Sequence, residues 1–281
     1  MGEIVRPARI VEGRLRSLAA VYGGVMRTSM IRTVQYRANT LIELALMVAE
    51  PVVYLVVWQI VARTNDGSVD GFTAGRFAAY FIAWSWVRTF VQGGSPGNWE
   101  RRVRDGSMAG FLMRPIHPVH QNLALWVGFG IARATMWIPA GAVLVLIFRP
   151  ELHTGALQLL VFPVAVAMAM LARTFTQDTI GAGAFWFTRI SAIGSIVGLV
   201  ELLTSGRLVP LELLPGWAQA VSWALPFRWT FAFPIEALIG PMSSGRLFTG
   251  LAMEAGWLVV MWMVLRLVWS RGIRHFSAVG G

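Results

Sequence analysis

Between residues 40 and 62 the chain reads TLIELALMVAEPVVYLVVWQIVA. That is long and apolar enough to cross a bilayer as a helix, which takes about 20 such residues. Five more stretches meet the criterion, near 75–97, 119–148, 156–177, 183–205 and 247–269. A large soluble helical core fits poorly: the chain is 56% hydrophobic and only 14% charged, against about 25% charged in ordinary soluble domains. The expected fold class is an all-α polytopic membrane protein with six transmembrane helices.

A net charge of +10 would suit nucleic acid or an anionic leaflet. The apolar runs select the membrane and leave no role for nucleic acid. Arginine placement then predicts orientation. Arg6, Arg9, Arg14, Arg16, Arg27, Arg32 and Arg37 precede the first span, Arg101, Arg102, Arg104 and Arg114 follow the second, and Arg271 and Arg274 follow the last. Six spans place all three groups on the cytoplasmic side, with both termini inside. The loops at 63–71 and 149–155 carry little positive charge and fit the exterior.

Residues 1–39 form a basic arm. Leu15, Leu18, Val21, Tyr22, Val25, Ile31 and Val34 recur in it at near-helical spacing, as on an amphipathic helix lying on the inner leaflet; a solvated basic tail is the alternative. Residues 40–281 form the transmembrane domain. Within it, 208–241 is apolar and aromatic but interrupted by Pro210, Pro215, Pro226, Pro234 and Pro241. Proline inside a helix removes a hydrogen bond and clashes with the preceding turn. Two short helices that enter the membrane from outside and return are expected here, with a seventh full span as the alternative.

Charges inside spans are costly unless paired or wetted, and mark pathways or inter-helix ion pairs. Glu43, Glu50, Arg88 and Arg133 are such charges. With Trp84 and Trp86 they are the candidates for a translocation path, and Trp84, Trp86, Trp126 and Trp137 could line a cavity for an apolar or aromatic cation. The competing structural roles are an ion pair of Glu50 with Arg88 or Arg133 and, for the tryptophans, an interfacial belt.

Enzyme chemistry finds no support. The chain has no cysteine, which removes disulfides and thiolate chemistry. All 24 basic residues are arginine, so a Walker A motif, which needs lysine at the phosphates, is absent from this sequence. The four histidines form no metal-binding spacing, and no nucleophile–base pair is apparent. No metal or cofactor is expected on this chain, and ATP, if used, must be hydrolysed elsewhere.

The segment RRVRDGSMAGFLMRPIHP, residues 101–118, lies between the second and third spans. Asp105 and Gly106 open a short apolar helix that Pro115 closes. Met108, Phe111 and Leu112 fall within one turn, suited to a groove on a soluble partner, with Arg101, Arg102, Arg104 and Arg114 for rim contacts. A helix lying on anionic lipid is the alternative.

Three segments, YRANTLIE, DGSMAGFLMRPIHP and LPFRWTFAFPIEALIG, carry a resemblance over nearly the whole chain. In this order they are similar to the permease subunits of ABC-2 type ABC transporters, closest to a bacterial branch often called viologen-exporter-type permeases. The resemblance implies an inner-membrane permease working beside a second, identical or paralogous permease. Two cognate ABC ATPase subunits would supply ATP and Mg. It further implies that 101–118 is a coupling helix, that the arm is an interfacial elbow helix, and that 208–241 closes the outer mouth, with Pro226, Phe227, Pro234 and Glu236 as gate candidates. The expected function is export of a hydrophobic or amphipathic small molecule, drug, lipid or peptide by alternating access. The alternative is an ion- or proton-coupled secondary transporter using the intramembrane glutamates and arginines.

Overall fold

The computed structural model describes residues 7–35, 37–65, 67–114 and 116–276. Pro115 therefore lies outside the described residues, as do Asp66 and both ends of the chain. The described chain is helical apart from one two-stranded hairpin. Helix α1 (Pro7–Gln35) precedes α2 (Arg37–Thr64), then β1 (Ser68–Val69) and β2 (Phe72–Thr73), α3 (Ala74–Val91), α4 (Pro96–Arg104), α5 (Met108–Leu112), α6 (Pro118–Phe148) and α7 (Ala156–Ala182). Next come α8 (Ser191–Thr204), α9 (Gly216–Ala224), α10 (Phe227–Thr230), α11 (Ala232–Ile239) and α12 (Ser244–Gly272).

Four helical stretches are long and apolar enough to cross a membrane: Leu41–Thr64, Pro118–Phe148, Ala156–Phe185 and Ser244–Gly272. The expected second and fifth spans differ from these for physical reasons. Helix α3 carries Arg76 and Arg88, which lower its hydropathy, yet Phe77–Ser85, Val87, Thr89 and Val91 are buried. A helix apolar around most of its circumference belongs inside a bundle rather than against lipid. Here α2, α6, α7 and α11 surround it, and its side chains form most of the largest core cluster. It stops at Val91 instead of 97 because Gly93, at φ +30, and Pro96 break the register; Pro96 then opens α4. The fifth stretch is helical only from Ser191, because a 3-10 turn at Gly183–Phe185 separates it from α7.

The molecule has two ends. At one, α2 runs into the hairpin, whose Asp70 and Gly71 both have positive φ, the pattern that Asp-Gly supplies in a tight two-residue turn. The interrupted stretch 208–241 gathers at this end as a 3-10 turn at Leu211–Leu213 followed by α9, α10 and α11. Its backbone carbonyls do not go unmet. Gln158 Nε2 donates to Ala237 O at 3.0 Å and Gly240 O at 2.5 Å, and Thr154 Oγ1 donates to Leu238 O at 2.5 Å. Irregular backbone near a membrane needs such partners. At the other end lie α4 and α5, the start of α6 and the end of α12.

Helix α1 packs along α6. Ser29 is buried and Leu18, Val21, Tyr22 and Val25 are half-buried, while Ile31 is exposed. Gly128 of α6 permits this approach, since a Cβ there would collide with Ser29 and Met26. Pro51 sits inside α2 without ending it.

Candidate functional site

The 101–114 segment is built as two helices rather than one. Asp105 ends α4 and Gly106, at φ +74, reverses the chain. The backbone N–H and hydroxyl of Ser107 donate to Asp105 Oδ1 at 3.0 and 2.6 Å. These bonds, the side-chain one foremost, hold the Asp105 carboxyl below its ordinary value.

Helix α4 is tied to the bundle by adjacent residues. Trp99 is buried, and its Nε1 donates to Asp178 Oδ1 of α7 at 2.8 Å. The same oxygen accepts from Asn122 Nδ2 of α6 at 3.0 Å, and Arg102 Nη1 donates to Asn122 Oδ1 at 3.2 Å. Glu100 Oε2 accepts from the backbone N–H groups of Ile190 and Ser191 at 3.0 and 3.2 Å, capping the start of α8. The Trp99 ring also packs edge-on against Trp269 of α12, with centroids 5.3 Å apart. One turn of α4 thus holds α6, α7, α8 and α12.

Helix α5 sits against α4. The Arg102 guanidinium lies 4.1 Å and that of Arg114 4.8 Å from the Phe111 ring centroid. Arg114 Nη1 donates to Gln121 Oε1 at 2.8 Å. Burial lowers the Arg102 guanidinium from its ordinary value, with Asp178 acting the other way. Among the expected docking residues, Met108 is 0% exposed within the chain's own core and so is turned away from any partner, and Phe111 and Leu112 are half-buried beside it. Arg101, Arg104, Gly110 and Met113 face outward, Met113 with 83% of its surface.

Glu43, Glu50, Arg88 and Arg133 come together in the structure. They line one cavity of about 1010 Å³ with Arg32, Thr33, Leu46, Met47, Ala49, Val53, Gln92, Trp126 and Phe129. Arg88 forms an ion pair with Glu50, the structural role weighed for them. Arg133 Nη1 donates to Gln92 Oε1, and its Nε donates to Phe129 O at 3.2 Å. Trp84 and Trp86 are not on this wall. Trp84 is fully buried behind Arg88, 5.1 Å from its guanidinium. Trp86 packs at a tilt against Trp137, ring centroids 5.0 Å apart, and lines a small apolar pocket of about 280 Å³. Trp126, of the same group of four, does line the larger cavity, and Trp137 lies with Trp86 at the small pocket.

At the hairpin end a cavity of about 680 Å³ is lined by Arg76, Tyr80, Glu212, Trp223, Arg228, Glu236 and Arg246, among others. Arg228 Nη2 contacts both carboxylate oxygens of Glu236, at 3.2 and 2.9 Å, and its guanidinium lies 4.3 Å over Trp223. Of the gate candidates only Glu236 lines this cavity; Pro226 and Phe227 are half-buried and Pro234 is buried beside it.

Sequence reasoning missed a third charged group. Arg173 of α7 pairs with Glu201 of α8, which also meets Arg207 at 3.9 Å. Both arginines lie over Phe231, at 5.6 and 5.4 Å. The rule that singled out Arg88 applies equally to Arg173 and Glu201, each inside an expected span. Trp99, Glu100, Asn122 and Asp178 carried no local signal, because they meet only through tertiary packing.

A helical bundle with four helices long and apolar enough to cross a membrane is the build of a polytopic membrane protein. Residues 48–280 match the family described as ABC-2 family transporter protein, and the chain belongs to that family. No curated protein matches it at a significant level.

Proposed function

We propose that this chain is the permease subunit of an ATP-binding-cassette exporter in a bacterial inner membrane. Helices α2, α3, α6, α7, α8 and α12 act as its six spans. The end carrying α4 and α5 faces the cytosol, as do both termini, and α9 to α11 dip in from outside. Two separate ATPase subunits dock on α4 and α5 and hydrolyse ATP with Mg. A second permease, identical or paralogous, completes the path for a hydrophobic or amphipathic cargo. ATP-driven closure of the ATPases moves α4, and the spans alternate between inward- and outward-open states that bind cargo with different affinity.

The observation that carries this reading is the clamp of α4 on four helices, α6, α7, α8 and α12, through Trp99, Glu100 and Arg102. A surface loop resting on lipid has no need of it. The ion pair of Glu50 with Arg88 uses two of the four groups a proton relay would require, which favours the ATP-driven reading over a secondary carrier.

Because the chain lacks cysteine, single cysteines report sidedness directly. In intact cells an impermeant maleimide should label Trp217→Cys, at a residue 74% exposed, and should label Met113→Cys only after the membrane is opened. Labelling of Met113→Cys in intact cells would overturn the orientation. Purification of the intact complex should retain an ATPase subunit, and transport driven by the lone chain would overturn the energy source.

A further inference from the structure

The cavity between α1, α2, α3 and α6 has a charge balance that its size and lining turn into a substrate preference. Its polar wall holds Arg32, Arg88 and Arg133 against Glu43 and Glu50. Arg32 and Glu43 are exposed, and the charge of Glu43 also reaches Arg133. Of the more sheltered groups, Arg88 is engaged by Glu50, and Arg133 by neutral Gln92 and a backbone carbonyl. Counting these five groups, the wall carries one positive charge in excess. At membrane depth a sheltered guanidinium costs several kcal/mol when its carboxylate neighbours are an exposed Glu43 and a Glu50 already engaged by Arg88, and an anion would relieve that cost.

The rest of the wall is apolar and aromatic: Leu46, Met47, Val53, Trp126 and Phe129. At about 1010 Å³ the cavity has the volume of a site for a drug-sized ligand. Trp126 lies with its ring centroid 5.8 Å from the Arg133 guanidinium, so an apolar surface adjoins the cation.

We propose that this cavity binds an amphipathic monoanion. Its carboxylate or phosphate sits at Arg133, and its apolar body lies along Trp126, Phe129, Leu46 and Val53. The proposal deepens the permease reading and rests on it for the word cargo, but binding itself requires no ATPase. Bidentate pairing of a guanidinium with a carboxylate or phosphate is the strong form of such contacts.

The test uses the full chain in nanodiscs of zwitterionic lipid, without nucleotide, and three fluorescent probes that differ only in charge: pyrenebutyrate, pyrenebutanol and pyrenebutylamine. The butyrate should bind at least about tenfold more tightly than the other two, a preference of the size expected for one sheltered charge pair. Arg133→Gln should erase that preference, and Arg133→Lys should retain most of it. Equal binding of all three, tighter binding of the amine, or no binding of the butyrate would overturn the proposal, and wild-type protein alone decides this if the variants fail to fold. Repeating the titration in discs containing phosphatidylglycerol separates the sources of the anion. Competition identifies a lipid headgroup as an occupant, and undiminished binding identifies a free amphiphile. Loss of ATPase co-purification with the charge preference intact would sink the coupling reading and spare this one.

Discussion

Trp99 of α4 and Asp178 of α7 are 79 residues apart in sequence and 2.8 Å apart in space, indole Nε1 to carboxylate Oδ1. Gly181, one turn further along α7, leaves room for the indole: a Cβ there would collide with the Trp99 ring. The Asp178 oxygen also accepts from Asn122 of α6, and so helps join the polar loop segment to the bundle. Asp178→Leu leaves two buried donors without an acceptor and should cost about 1–3 kcal/mol. Asp178→Asn keeps an acceptor oxygen and should cost less. Thermal unfolding in detergent measures both. In the assembled transporter, Trp99→Phe should lower transport more than ATP hydrolysis; parallel loss of the two would argue against α4 as the mechanical link.

Gly181→Ala tests the same joint from the other side. The added methyl forces Trp99 out of place, and overpacking of a close contact costs about 1–3 kcal/mol. Combined with Trp99→Ala, which vacates the space, the glycine substitution should become nearly neutral. A double-mutant cycle on unfolding midpoints measures the coupling.

Glu201 is 1% exposed and serves both Arg173 and Arg207. Removing it leaves two sheltered guanidinium groups facing each other, whereas removing Arg207 leaves the pair with Arg173 intact. Glu201→Gln should therefore cost about 3–5 kcal/mol, the range for breaking a buried ion pair, and Arg207→Gln clearly less. Equal losses in unfolding assays would show that Arg207 is as important to the pair as Arg173.

His117 caps α6: its Nδ1 accepts from the Val119 N–H at 3.3 Å. Burial first, and His120 second, lower its pKa from the ordinary value of 6.5. A histidine whose folded pKa is depressed contributes stability above the unfolded value that is lost as pH falls through the folded one. Unfolding temperature should therefore drop as pH is lowered below 6.5. His117→Asn supplies a cap that does not titrate, and should flatten that part of the profile. An unchanged pH profile in the variant would remove His117 from the account.

The parts of the molecule legible in the sequence were those encoded by local composition. Apolar runs marked α2, α6, α7 and α12, and Gly106 marked the start of the short helix α5, while α4 before it went unread. Glu43, Glu50, Arg88 and Arg133 stood out because a charge in an apolar run is expensive wherever it lies, and all four line one cavity. Met108 misled because helical spacing shows which residues share a face but not whether that face looks outward or into the protein's own core. Trp84 misled likewise: a tryptophan near a charged residue can line a cavity or stand behind its wall.

By itself, then, the sequence determined that this chain has helices apolar enough to cross a membrane, and where four of them run. Both follow from short stretches of chain. Only the tertiary structure decided the partners: Trp99 with Asp178, Glu100 with the start of α8, Glu201 between two arginines and Arg228 with Glu236. Apolar helices can pack face to face in many rotations at similar cost, so their periodicity leaves the pairing open. Hydrogen bonds and ion pairs sheltered from water satisfy far fewer of those rotations, and they are visible only once the helices have met.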